Sequence, residues 1–283
     1  MTHYEHDFCD AAQYLDSEGI TRLAQVLYLF KNAKFENIWW RIENRVHELI
    51  EVTNALDTYN IANILRSFSK CQENRMAGSD KLFIHFEPTI IKQLDNFSPR
   101  DLSHILYAYS IRNAGNPELY KAFDKRIEKL VDEKILLDYP TVFNMNYYMM
   151  FRDNTNRKIW EHMVDSTLHQ DDILPMTYYK SFKFSRFFLQ HHFPEWDITE
   201  YVDKFYYAER YFNQVQFDDF ALKERDYMEI KGFLNQKILV YPIYFMTLRN
   251  LFNMHFVFND QKICIQYHLR EWCMPFSKQP SEK

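Results

Sequence analysis

The chain has 283 residues, 47% of them hydrophobic and 18% aromatic, with a formal net charge of −5. There is enough apolar material for a large core, while four glycines leave little from which to build phosphate-cradling loops. The acidic balance supplies no bulk positive field, so a polyanion would need a local basic patch.

Residues 1–15 read as an N-terminal arm. Its acids, Glu5, Asp7 and Asp10, set it apart from an apolar signal peptide and from an acid-poor transit peptide. His3, His6 and Cys9 are spaced by threes, which on a helix would gather two imidazoles and a thiol on one side. Because chain termini are usually mobile, a free tail is the stronger expectation than a metal site.

From Asp16 to Asp172 the sequence repeats itself. Ile61-Ala62-Asn63-Ile64-Leu65-Arg66-Ser67-Phe68-Ser69 matches Leu102-Ser103-His104-Ile105-Leu106-Tyr107-Ala108-Tyr109-Ser110 in residue class, and its apolar places mark one helix face. The same face recurs as Ile20, Leu23, Ala24 and Leu27, and more weakly as Val142, Met145 and Met149, with Asn146 in a place that is otherwise apolar. A second helix follows each copy, beginning with Ile38-Trp39, Leu82-Phe83, Leu119-Tyr120 and Ile159-Trp160. Asp57, Ser98 and Asp138 stand where a short polar side chain caps the first helix, with Pro99 at a position that needs no amide donor. Gly78, Gly115 and the polar stretch from Arg152 to Arg157 mark the turns inside the hairpins. The expected fold is therefore all-α: four stacked helical hairpins of about 38–44 residues over residues 16–172, an α-solenoid-like array whose units bury their faces against neighbours.

After Leu174 the pattern changes. Met176 to Gln190 and Ile198 to Phe212 read as a degenerate fifth hairpin or cap within residues 173–216, broken by His191-His192-Phe193-Pro194. Residues 217–283 read as a C-terminal docking region. Within it Ile238 to Phe258 is apolar almost all round if helical, yet Arg249, Asn250, Asn253 and His255 oppose a membrane span, at roughly 2.5–3.5 kcal/mol for a central charge. Leu239, Tyr241, Tyr244, Phe245, Phe252 and Phe256 are its candidate docking residues for a partner protein, with membrane contact peripheral at most. Around Asn259-Asp260-Gln261 the alternation suits either a small β-hairpin or a continuing helix.

No catalytic or cofactor motif emerges: GxxxxGK[ST], GxGxxG and HExxH are all missing, and Glu161-His162 lacks the second histidine of the last. Cys264, His268 and Cys273 offer three ligands without a fourth, and the four scattered cysteines suit a reducing compartment. One basic stripe deserves weighing, Lys180, Lys183 and Arg186 among aromatics, a mixture that single-stranded nucleic acid uses. Lysines snorkelling over an apolar face produce the same pattern.

The segments FSPRDLSHILYAYS and NPELYKAFDKRIEKLV resemble the paired helices of organellar helical-repeat proteins, the heptatricopeptide and octotricopeptide arrays and the FAST-kinase-like family. The resemblance implies a mitochondrial or plastid setting and RNA binding. Residues 1–172 carry 26 Asp and Glu against 20 Lys and Arg, which weighs against the RNA part of that implication. The sequence thus points to a non-enzymatic accessory or structural subunit that binds other subunits of a large mitochondrial assembly, with an RNA-binding repeat protein as the alternative.

Overall fold

Asp16, Asp57, Ser98 and Asp138 lie 41, 41 and 40 residues apart, and each accepts a hydrogen bond from the backbone amide three residues on. Each satisfies one of the free N–H groups at a helix start, so the first helix of every hairpin begins at the same place in the repeat. The computed structural model describes residues 3–29, 36–53, 56–70, 79–170, 176–205, 243–248, 252–258 and 263–265. These fall into two compact units, one within Met1–Gln170 and one within Asp171–Leu269.

The first unit is the hairpin array. It runs α1 (His3–Ala12), α2 (Ser17–Leu29), α3 (Glu36–Glu48), α4 (Thr58–Lys70), α5 (Asp80–Gln93), α6 (Pro99–Arg112), α7 (Pro117–Asp132), α8 (Tyr139–Phe151) and α9 (Arg157–Leu168). Helices α2, α4, α6 and α8 pack in sequence as one row, and α1, α3, α5, α7 and α9 as the other. Nearly all the repeat positions read from the sequence are core positions, Leu23 being half-buried. Ile38, Trp39, Ile42, Leu82, Phe83, Phe86, Leu119, Phe123, Ile159, Trp160 and Met163 are all buried, and each such side chain contributes on the order of 1.5–3 kcal/mol.

Turns between the helices use the left-handed region. Asn113 (φ 49°) ends α6, Lys134 (φ 55°) ends α7 and Asp153 (φ 49°) ends α8. Ala114 then donates to the Tyr109 carbonyl at 3.1 Å and Asn154 to that of Met149 at 2.9 Å, the paired closure that stops a helix. Gly115 has φ +104°, and a Cβ there would sit 3.1 Å from the Tyr109 ring and 3.2 Å from that of Tyr120. Only glycine fits this turn without strain.

The N-terminal arm is not a free tail. Residues His3–Ala12 form a helix that packs on α3, burying Cys9 and Ala12, and Arg45 Nε donates to the Leu15 carbonyl at 2.8 Å. An apolar position every three or four residues gave the arm a face, and α3 supplies the surface that pays for its order.

In the second unit α10 (Met176–His192) and α11 (Thr199–Lys204) flank the predicted break, and the part of the expected helix beyond Phe205 lies outside the described residues. The apolar segment is not a helix where the structure describes it. Ile243–Leu248 (β1) and Phe252–Phe258 (β2) pair antiparallel, and β2 pairs with Ile263–Ile265 (β3), giving a three-stranded sheet in the order β1-β2-β3. Isoleucine, tyrosine, phenylalanine, threonine and valine dominate the stretch and favour extended backbone, and Arg249-Asn250-Leu251 is long enough for a hairpin connection. The β2–β3 pair realises the hairpin alternative weighed around Asn259-Asp260-Gln261.

Candidate functional site

Polar chemistry inside the array concentrates where one hairpin meets the next. Five residues into the second-helix pattern stand Glu43, Glu87, Asp124 and Val164. Glu43 accepts the Ser79 amide at 3.1 Å with both carboxylate oxygens, and the Ser79 hydroxyl donates to it as well. Glu87 accepts from the Asn116 side-chain amide. Ser79 and Asn116 are the capping residues of α5 and α7, so each carboxylate holds the start of the following hairpin's second helix. At the third junction the duty is divided. Asp124 accepts from the Tyr148 hydroxyl at 2.9 Å and from Asn154 at 3.4 Å, while Glu128, one turn on, accepts from the capping Asn156 at 3.1 Å.

Aromatic pairs run alongside. Trp39 meets Phe68 at 4.8 Å between centroids, Phe83 meets Tyr109 at 5.2 Å, and Tyr120 meets Tyr148 at 6.2 Å, each a second helix against the first helix of the next hairpin. Tyr109 also donates its hydroxyl to the Phe83 carbonyl at 2.8 Å. Burial and the negative charge of Asp124 push the Tyr148 hydroxyl far above the ordinary tyrosine range, so it acts as a permanent donor. Burial likewise raises the Glu87 carboxyl, opposed by the hydrogen bond from Asn116.

A group of titratable side chains spans the first two junctions. The His47 and His85 rings stack at 4.8 Å between centroids with their Nδ1 atoms 2.5 Å apart, and His47 Nε2 lies 3.7 Å from Glu43 Oε1. Arg112, its side chain 4% exposed, pairs with Asp80 at 3.5 Å and lies over the Phe83 ring at 5.2 Å. Every one of these contacts joins elements of successive hairpins or braces the side chain that does, so the cluster's visible work is cohesion. Among the described residues no group of three or more His, Cys, Asp or Glu is placed to hold a metal ion. His6 Nδ1 lies 3.0 Å from Asp10 Oδ2, Cys9 is buried, and His268 and Cys273 lie outside the described residues.

The described members of the basic stripe differ in exposure. Lys183 is 7% exposed within α10, Arg186 borders a cavity of about 590 Å³ with Gln190, Phe193, Trp196 and Asp197, and the Lys180 side chain lies outside the described residues. Helical spacing put the three on one side of α10, but that side includes core, where an aliphatic lysine stem packs well. The docking candidates are divided between elements. Tyr244 and Phe245 lie in β1, Phe252 and Phe256 in β2, with Tyr244 the register partner of Phe256; Leu239 and Tyr241 lie outside the described residues. Among the described residues no helix is long and apolar enough to cross a membrane.

Sequence inspection missed one feature. Nine residues after each first-helix cap stand Gln25, Arg66, Tyr107 and Tyr147. Between α6 and α8 that position is closed by rings: Tyr107 meets Tyr147 at 5.2 Å and Phe143 at 5.9 Å. Between α2 and α4 it opens into a groove of about 350 Å³, lined among others by Arg22, Gln25, Leu29, Asn63 and Arg66. Gln25 Nε2 donates to Asn63 Oδ1 at 2.8 Å across its floor. The signal was present in the repeat alignment as a cation in a place held by tyrosine in the next two units. No family model matches the chain, and a search of curated proteins finds no match.

Proposed function

We propose that this protein is a non-catalytic scaffold, an accessory structural subunit that holds partner proteins within a larger mitochondrial assembly. The observation that carries the proposal is the set of large apolar side chains left exposed on the first two hairpins: Leu29 at 63%, Ile84 at 61%, Trp40 at 55% and Tyr59 at 55%. Scattered apolar exposure is ordinary, but aromatic and aliphatic side chains on ordered helices are the anchors from which interfaces are built. Stacked hairpins joined by repeated carboxylate and aromatic contacts supply a firm support for such anchors. The compartment rests on the resemblance of the repeat motifs to organellar repeat proteins.

Isolation of the tagged chain from mitochondria under native conditions is the test. Co-sedimentation with a large particle, at a fixed ratio to its subunits, is expected; recovery solely as a free monomer overturns the proposal. An RNA-binding role would have used the basic stripe of α10, and the burial of Lys183 removes one of its three charges from the surface.

A further inference from the structure

The groove between α2 and α4 contains a cation without a counterion. Among the described residues the Arg66 guanidinium makes no hydrogen bond or ion pair, and its Nε is buried. Arg66 is half-buried and lines the groove, where its guanidinium offers a planar fork of donors that matches a carboxylate. Arg22, on the facing helix, is already engaged by Glu18 one turn away, so the two arginines differ in what they can still bind. Beside Arg66 the groove is apolar on one side, where Val26 and Leu29 are 49% and 63% exposed. Its amide pair, Gln25 and Asn63, is self-satisfied and does not compete for the guanidinium.

We propose that this groove is a docking site for an acidic side chain of a partner polypeptide, with Arg66 donating to the carboxylate in fork geometry and Val26 and Leu29 seating an adjacent apolar residue. The identification of the occupant rests on charge and on shape. One unmatched guanidinium calls for one anion, and a carboxylate takes two parallel N–H donors from it. The chain's net charge of −5 disfavours a polyphosphate backbone, which would bring many charges to satisfy one site. The apolar wall gives nothing to an isolated inorganic ion and suits a polypeptide, where charge and hydrocarbon come on neighbouring residues. This deepens the scaffold proposal, on which it rests for the nature of the partner.

Phage-displayed random dodecapeptides selected on the full-length chain provide the probe. Enrichment of Asp or Glu next to an aliphatic or aromatic residue is expected. A synthetic peptide of the enriched sequence should then bind about tenfold more weakly to Arg66→Gln, and equally more weakly when its own acid is changed to the amide, with no further loss when the two changes are combined. Leu29→Asp, a change at an exposed position that leaves the core intact, should weaken binding as well, and Arg66→Lys should restore part of it. Circular dichroism of each variant establishes that it is folded. The proposal is overturned if nothing is enriched, if the enriched peptides lack acids, if they bind Arg66→Gln as tightly as the parent, or if oligouridylate binds with the same dependence on Arg66. Native isolation of the parent and Arg66→Gln chains separates this proposal from the broader one. Entry of both into the large particle together with a failed selection removes the groove and leaves the scaffold; entry of neither removes the scaffold.

Discussion

The groove between α6 and α8 and the groove between α2 and α4 occupy the same place in the repeat and are finished differently. In the former, Tyr107 is clasped by Phe143 and Tyr147 and its hydroxyl is pushed up to about 12 by burial. In the latter, Gln25 and Arg66 take the corresponding positions and a cavity remains. The backbone scaffolding is shared, from the cap at the start of each helix to the aromatic contact near its end. Closure of an inter-helix groove is therefore a side-chain decision laid over a common frame, and the N-terminal hairpins are the ones where surface was kept available.

The comparison breaks most visibly from the closed side. Phe123 touches Tyr109, Tyr120 and Tyr148 and is fully buried, so Phe123→Ala should cost about 3–5 kcal/mol, read as a lowered urea midpoint. A second test bears on the frame itself. Glu43→Ala strands the Ser79 amide and hydroxyl and should cost about 1–3 kcal/mol, with early hydrogen exchange at the start of α5. Converting the open groove to the closed kind is the sharper experiment. Arg66→Tyr copies Tyr107 and should stabilise the array by about 0.5–1.5 kcal/mol while abolishing peptide binding, because a ring replaces an unmatched charge.

The smallest expected effect concerns pH. Burial raises the Glu87 carboxyl, so the fold favours its neutral form, and its contribution is fullest below the unfolded-chain pKa and declines as pH rises through the raised folded value. Glutamine is always neutral and keeps an oxygen for Asn116. Glu87→Gln should therefore be at least as stable as the parent at neutral pH, with the difference vanishing in acid, as followed by thermal melts across pH.

Much of the array was legible because hairpin stacking writes the same demand at a fixed interval. Ile61, Ile64, Leu65 and Phe68 and their counterparts in α6 face the core, and caps at Asp57, Ser98 and Asp138 mark where each first helix begins. The fourth hairpin was harder to read for a physical reason. Its ring contact is made by Tyr148, one residue closer to the cap than Tyr109 is to Ser98, and Asn146 is buried where its counterparts are aliphatic. The strands after Ile243 were obscured because a run of aromatic and aliphatic residues satisfies a buried helix and a sheet equally well. Arg66 differs in sequence from the tyrosines of the next two units, but that its Nε lacks a partner is a property of the packing and has no sequence signature.

The carboxylate that reaches for the next hairpin's capping residue gives the array a grammar of length. The first three units each end on an acceptor and the last three each begin their second helix on a donor, so inner units can be exchanged without rewriting their boundaries. Excising residues 98–137 in frame would set Glu87 against the Asn154 and Asn156 that Asp124 and Glu128 now hold; duplicating them would set Asp124 against a second Asn116. In either chain an acid still meets an asparagine. Val164 stands at that place in α9 and offers no acceptor, so a single aliphatic residue marks where the phrase stops.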